Sequence, residues 1–199
     1  MRIACSLGSL LSVEEVLQCT QIISDTKIDS IWIPETWGME NFSMLGAVAN
    51  KTKTQKIGSS IINIYSRSPS TISMGAATTD TLSNGRLILG LGTSSVPIVE
   101  DFHGEKFENP VQRMREYVEI IRLSLTKKQI NYSGKIFDLK NFTLLIEPQR
   151  QSIPIYLAAI NQKMVNLCWE IADGVIFYLR PIDEMKKTIS KMQSQKNID

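Results

Sequence analysis

The chain has 199 residues, 43% hydrophobic and 21% charged, the composition of one globular domain able to bury a sizeable core. A formal charge of +2 without a lysine or arginine stripe excludes nucleic acid as the expected partner, and no apolar run reaches the ~20 residues that span a bilayer. Scattered Cys5, Cys19 and Cys168 in apolar contexts, with no secretory signal, imply a cytoplasmic protein with reduced, buried cysteines; a single histidine, His103, argues against a His-rich metal centre.

Short apolar strands and helices alternate along the chain. Arg2 to Ser6 reads as a first strand. Ser12-Val13-Glu14-Glu15 is a capping box, and Val16, Leu17, Ile22 and Ile23 give the helix behind it an apolar face. A second strand, Ser30 to Ile33, is closed by Pro34, and after the loop from Glu35 a helix is expected over 42–50. Lys56 to Ile61 forms the third strand. Ser68-Pro69 supplies the N-cap and first position of a helix that stops at Asn84-Gly85, two residues tolerant of positive φ.

Arg86-Leu87-Ile88-Leu89 suits a parallel strand buried on both faces. Gly90, Gly92 and Thr93-Ser94-Ser95 then strip its C-terminal end of bulk, where a ligand could approach the backbone. Asn109-Pro110 is expected to cap the next helix as Ser68-Pro69 does. Residues 127–152 leave the pattern as an insertion, with Asn131 to Lys135 as a hairpin turn. Pro154 to Ala159 resumes it, followed by a helix from Gln162 to Ala172, a strand from Val175 to Leu179, and a last helix from about Pro181. The lysines from Lys186 to Lys196 are spaced like the wet face of that helix.

Such alternation implies a parallel sheet under helical cover, either doubly wound or a (β/α)8 barrel. The first strand exits through Ser6-Leu7-Gly8-Ser9, which lacks the Gly-x-Gly-x-x-Gly of a dinucleotide fold. Polar and small residues gather instead at the expected strand C-termini, as a barrel requires. The expected fold is therefore a TIM barrel over residues 1–199. It is incomplete, with about six βα units where a barrel needs about eight, and the chain reads as a fragment truncated at its C-terminus.

Several segments together carry a resemblance: SIWIPET at 30–36, KIGSSIINIYSRSP at 56–69, NGRLILGLGTSS at 84–95, FHGEKFENPVQRMREYVEIIR at 102–122, PIYLAA at 154–159 and EIADGVIF at 170–177. In this order they resemble the bacterial-luciferase-like superfamily, and especially its branch using the deazaflavin coenzyme F420, including the methylenetetrahydromethanopterin reductase-like proteins. The resemblance implies an oxidoreductase moving a hydride between F420 and a small organic substrate. It also implies a homodimer built on the second and third helices.

Residue by residue, the resemblance assigns coenzyme contacts to Glu35, Thr36, Ser59, Ser60, Ile61, Asn63, Thr93, Ser94, Ala158, Ala159 and Asn161, with Glu35 as the catalytic candidate. The bond Ser60–Ile61 matches a cis peptide that backs the coenzyme ring in relatives. Thr36 stands where many relatives have His, Ser6 where the reductases have Glu, and Asn161-Gln162 where Gly-Pro is usual. His103 is read as packing of its loop, Arg113 and Arg115 as salt-bridging, and Trp37 as either a mouth residue or a packed loop aromatic. Two other readings stand beside F420: an FMN-dependent luciferase-like monooxygenase, and a non-catalytic truncated barrel subunit or remnant.

Overall fold

The computed structural model describes residues 2–8 and 10–196, with side chains to 194; Ser9 and the Lys196 side chain, both read above, lie outside them. The first half of the chain runs β1 (Ala4–Ser6), α1 (Val13–Ser24), β2 (Ser30–Ile33), α2 (Asn41–Lys51), β3 (Lys56–Ser59), β4 (Ile62–Asn63) and α3 (Pro69–Leu82). The second half runs β5 (Leu87–Gly92), α4 (Pro110–Thr126), β6 (Ile130–Ser133), β7 (Asp138–Phe142), β8 (Ile155–Ala158), α5 (Gln162–Ile171), β9 (Gly174–Ile176) and α6 (Ile182–Lys196).

The capping box at Ser12 forms, with Ser12 Oγ accepting from Glu15 N at 3.2 Å and Glu15 Oε2 from Ser12 N at 2.7 Å. Ser68 caps α3, and α3 stops at Asn84 and Gly85, whose φ values are 52° and 73°. Gly85 N reaches back to Asp80 O at 2.8 Å, so the orphan carbonyls of the last turn are satisfied by a positive-φ exit. Asn109 behaves differently from Ser68. It sits at φ 50° with no side-chain cap bond, because the left-handed backbone that asparagine tolerates turns its amide away from the first turn of α4.

The main sheet has the order β1-β2-β3-β5-β8-β9, every neighbouring pair parallel, with β4 pairing β5. Each new strand joins the same side and the order never reverses, which is the winding of a (β/α)8 barrel and not of a doubly wound sheet. Among the described residues β1 and β9 have no partner on their outer sides, so the barrel is incomplete. Ile31, Ile33, Ile57, Leu87, Leu89, Leu91, Ile155 and Leu157 are buried under the helices. The alternate positions face inward. There Trp32 meets Tyr156 at 5.8 Å, and a Cβ on Gly58 would lie 2.5 Å from the Trp32 ring.

Some boundaries shift from those expected. The third strand stops at Ser59, bends at 60–61 and resumes as β4. The last strand ends at Ile176 instead of Leu179, since Leu179 adopts φ 46° and leaves the extended conformation. The hairpin turn falls at 134–137, closed by Gly134 N to Phe137 O at 2.8 Å, so Asn131 to Ser133 belong to β6. Helix α2 begins at Asn41, where the Glu40 side chain accepts from Phe42 N and Ser43 N. All three cysteines are free. Cys168 is buried, which pushes its thiol up to about 12, whereas Cys5 and Cys19 are only partly covered.

Candidate functional site

Parallel strands deliver their C-termini to one side of a sheet, and here the breaks in β3 and the softness of β5 meet there. Ser59 is buried, and its hydroxyl accepts from Gly90 N at 2.7 Å and donates to Gly90 O at 2.8 Å, replacing ladder bonds where β3 ends. A Cβ on Gly90 would lie 1.9 Å from the Ser59 carbonyl oxygen. The space read as room for a ligand at Gly90 is thus taken by the neighbouring strand. Gly92 is similar: its Cβ would meet Ile61 Cδ1 at 2.6 Å and Ala158 Cβ at 3.4 Å. Ile61, Gly92 and Ala158 are therefore contiguous across three strands.

The peptide bond Ser60–Ile61 is cis, and Ser60 N donates to Ile33 O at 2.8 Å. Ser60, Ile61, Thr93, Ser94 and Ala158 are half-buried, and Ser94 has φ 58°. Ala159 is buried, with its N–H on Ile176 O. Asn63 is buried too. Its Oδ1 accepts from Tyr65 N at 2.9 Å, while Nδ2 has no partner among the described residues. Asn161 caps α5, accepting from Met164 N at 3.0 Å.

A second group lies beside this one. Glu35 follows β2, and both its oxygens accept from Arg67, at 2.7 and 2.6 Å. Arg67 also donates to Glu40 Oε1 and, at 3.1 Å, to Ser66 Oγ. The hydrogen bonds that Arg67 donates to Glu35 raise its guanidinium above its usual value against the opposing effect of burial. Glu35 Oε1 accepts from Asn41 N at 3.0 Å as well, and Tyr117 Oη holds Arg67 O at 2.6 Å; burial pushes that phenol up to about 12. The catalytic candidate is thus already a hub. Arg67's role was unread in the sequence, yet residues leaving two adjacent parallel strands are natural neighbours, which is the signal that would have found it.

Glu35, Thr36, Trp37, Glu40, Arg67 and His103 line one depression of about 390 Å³. His103 is exposed, against the expectation that it packs its loop. The π-helical turn Ile98–Phe102 buries only Val99 and carries the following residues outward. Trp37 is 73% exposed and meets Phe102 edge to face. Arg115 does form the expected ion pair, with Glu170 at 2.8 and 2.7 Å. Arg113 does not: it lies over the rings of Tyr65, at 4.6 Å, and Phe137, at 5.4 Å.

Comparison with known proteins shows the family and the fold. The 5,10-methylenetetrahydromethanopterin reductase of Archaeoglobus fulgidus is 37% identical over 157 residues, covering 78% of this chain and 46% of that protein. The chain thus spans about half the length of the curated relatives it matches. The coenzyme F420-dependent tetrahydromethanopterin reductase of Methanopyrus kandleri superposes with a TM-score of 0.81 at 24% identity, over 88% of this chain and 55% of that one. An FMN-bound type II Baeyer–Villiger monooxygenase from Pseudomonas putida superposes with a TM-score of 0.82 at 16% identity, over 98% and 62%. The latter two show a shared fold. The model of the luciferase-like monooxygenase family matches residues 2–197, and the chain belongs to that family.

Proposed function

We propose that this chain is the coenzyme-holding portion of an oxidoreductase that transfers a hydride between coenzyme F420 and a small organic substrate. The observation that carries this reading is the contact of Ile61 and Ala158 across the buried Gly92 at the strand C-termini, with the small residues Ser60, Thr93 and Ser94 beside them in the chain and half-buried. The F420-dependent relatives support the choice of coenzyme. When bound, the deazaflavin supplies the hydride-exchanging carbon, and the protein supplies position and electrostatics.

The residues fit such a planar group. Ser60, Ile61, Thr93, Ser94 and Ala158 would hold the ring, and Asn63 Nδ2 is a buried donor still without an acceptor. Asn161 leaves first-turn amides of α5 for the coenzyme's phosphate. Thr36 and Glu35 would face the polar edge of the ring, with Arg67 fixing the carboxylate's orientation. Ser59 and Ala159, both buried, would act through backbone.

Titration with each coenzyme tests this reading. Tighter binding of F420 than FMN is expected, the reverse order favours a reduced-flavin monooxygenase on the same fold, and binding of neither favours a non-catalytic subunit. We further propose a cytoplasmic homodimer. Three free cysteines and the lack of any membrane-crossing helix among the described residues accord with that setting. On α3, Met74, Thr78 and Leu82 form an exposed stripe at helical spacing, and Leu82 lies beside Gly46 of α2.

A further inference from the structure

Trp37 and Phe102 are 73% and 59% exposed, and their rings meet at 5.8 Å and 89°. They come from different loops, one after β2 and one after β5, so the fold brings two open aromatic faces together above the strand C-termini. The pair offers an open apolar face to any molecule that enters there. Trp37 lines the depression of about 390 Å³ together with Glu35, Glu40, Arg67 and His103, a volume within the range of small-molecule sites, and Phe102 reaches it only through its edge-to-face contact with Trp37.

The charges of that depression select against anions. Among the described residues Arg67 is the one arginine or lysine on its lining, and its guanidinium is already engaged by Glu35, Glu40 and Ser66. Two carboxylates against one guanidinium leave the lining with an excess negative charge. A phosphate or carboxylate would meet repulsion and find no open arginine fork. His103 is the remaining titratable side chain there, able to donate or accept one hydrogen bond.

We propose that the substrate of this site is an uncharged molecule with an apolar body and a single hydrogen-bonding function, its body on the Trp37–Phe102 pair and its polar atom toward His103. The inference rests on the oxidoreductase reading above. Phe102 is then a specificity-determining residue, since it is placed to touch the substrate body and contributes nothing to the coenzyme surface.

The test is an equilibrium titration of the protein with 1-phenylethanol and with glucose 6-phosphate, read by tryptophan fluorescence. 1-Phenylethanol is expected to change the emission saturably, and Trp37→Phe to abolish most of that change. Phe102→Ala should weaken the midpoint about tenfold, the loss of one aromatic contact, with F420 affinity unchanged. Both side chains are exposed, so matching melting curves establish that the variants fold. Tighter saturation by glucose 6-phosphate, or a Phe102→Ala midpoint equal to the parent's, overturns the proposal. So does a halved molar mass of the Trp37→Ala/Phe102→Ala variant in light scattering, which would make the pair a protein–protein contact. F420 that fails to bind, with the phenylethanol signal intact, sinks the oxidoreductase reading instead.

Discussion

Replacing Arg67 by lysine keeps a positive charge and removes the planar fork that bridges Glu35 through both oxygens while also reaching Glu40. Arg67 and Glu35 side chains are only 15% and 11% exposed, so the loss is felt in a partly dry setting. Arg67→Lys should lower stability by about 1–3 kcal/mol, seen as a lower denaturant midpoint at unchanged slope. A midpoint equal to the parent's would mean that desolvation of the pair cancels its attraction. Asn63 and Arg113 make the complementary point. Each keeps a buried nitrogen without a partner among the described residues, Nδ2 in one and Nε in the other, and of the two only Asn63 stands at a strand C-terminus. Neither the arginine pair nor these orphan donors is visible in residue spacing, because all depend on which strand ends become neighbours.

At the scale of elements, two carboxylates of α4 fasten the β6–β7 hairpin to the barrel: Glu119 Oε2 accepts from Tyr132 Oη at 2.6 Å, and Glu116 takes most of the remaining bonds. Glu116 of α4 is 1% exposed and accepts from Lys135 N at 2.8 Å, Phe137 N at 2.9 Å and Ile136 N, with Gln112 Nε2 at 2.8 Å. Burial pushes its carboxyl up, but the hydrogen bonds from Gln112 and the three amides outweigh it and leave the group below the usual glutamate range. A lowered folded-state pKa means stability that is present above the unfolded-state value and lost as pH falls through the folded one. Glu116→Gln should therefore cost about 1–3 kcal/mol at neutral pH. In urea melts across the acid range, the variant should also lose the part of the parent's acid destabilisation that Glu116 causes. Equal parent–variant differences at pH 7 and at pH 3 would contradict the assignment. A hairpin in this stretch was legible from its polar, glycine-containing break in the strand–helix rhythm. Its anchor was not, since a glutamate in the middle of an amphipathic helix reads as solvent-facing.

For the whole molecule, the sheet has among the described residues two unpaired edges, β1 and β9, and an inner face where Trp32 meets Tyr156. If the exposed stripe of Met74, Thr78 and Leu82 with Gly46 is a subunit contact, light scattering should give a mass near twice 22.4 kDa. Lysine at Met74, on the outside of α3, should then return the protein to one chain. A parent of 22.4 kDa at high concentration excludes the dimer.

The sequence by itself determined the winding: apolar runs at 30–33, 56–61, 86–89 and 154–159 separated by capped helices permit only a parallel sheet, and the absence of a glycine motif after the first strand turned the choice toward a barrel. Caps at Ser12 and Ser68 and the positive-φ exit at Asn84-Gly85 were equally local, because each is satisfied by backbone groups within a few residues. Tertiary structure alone decided what the glycines of β5 are for and where the charges go. Gly90 gives way to the Ser59 carbonyl, Glu35 closes on Arg67 thirty-two residues away, and Trp37 meets Phe102 from another loop. Those pairings are set by strand adjacency and by steric clearance across the sheet. Neither quantity exists along a single strand of sequence.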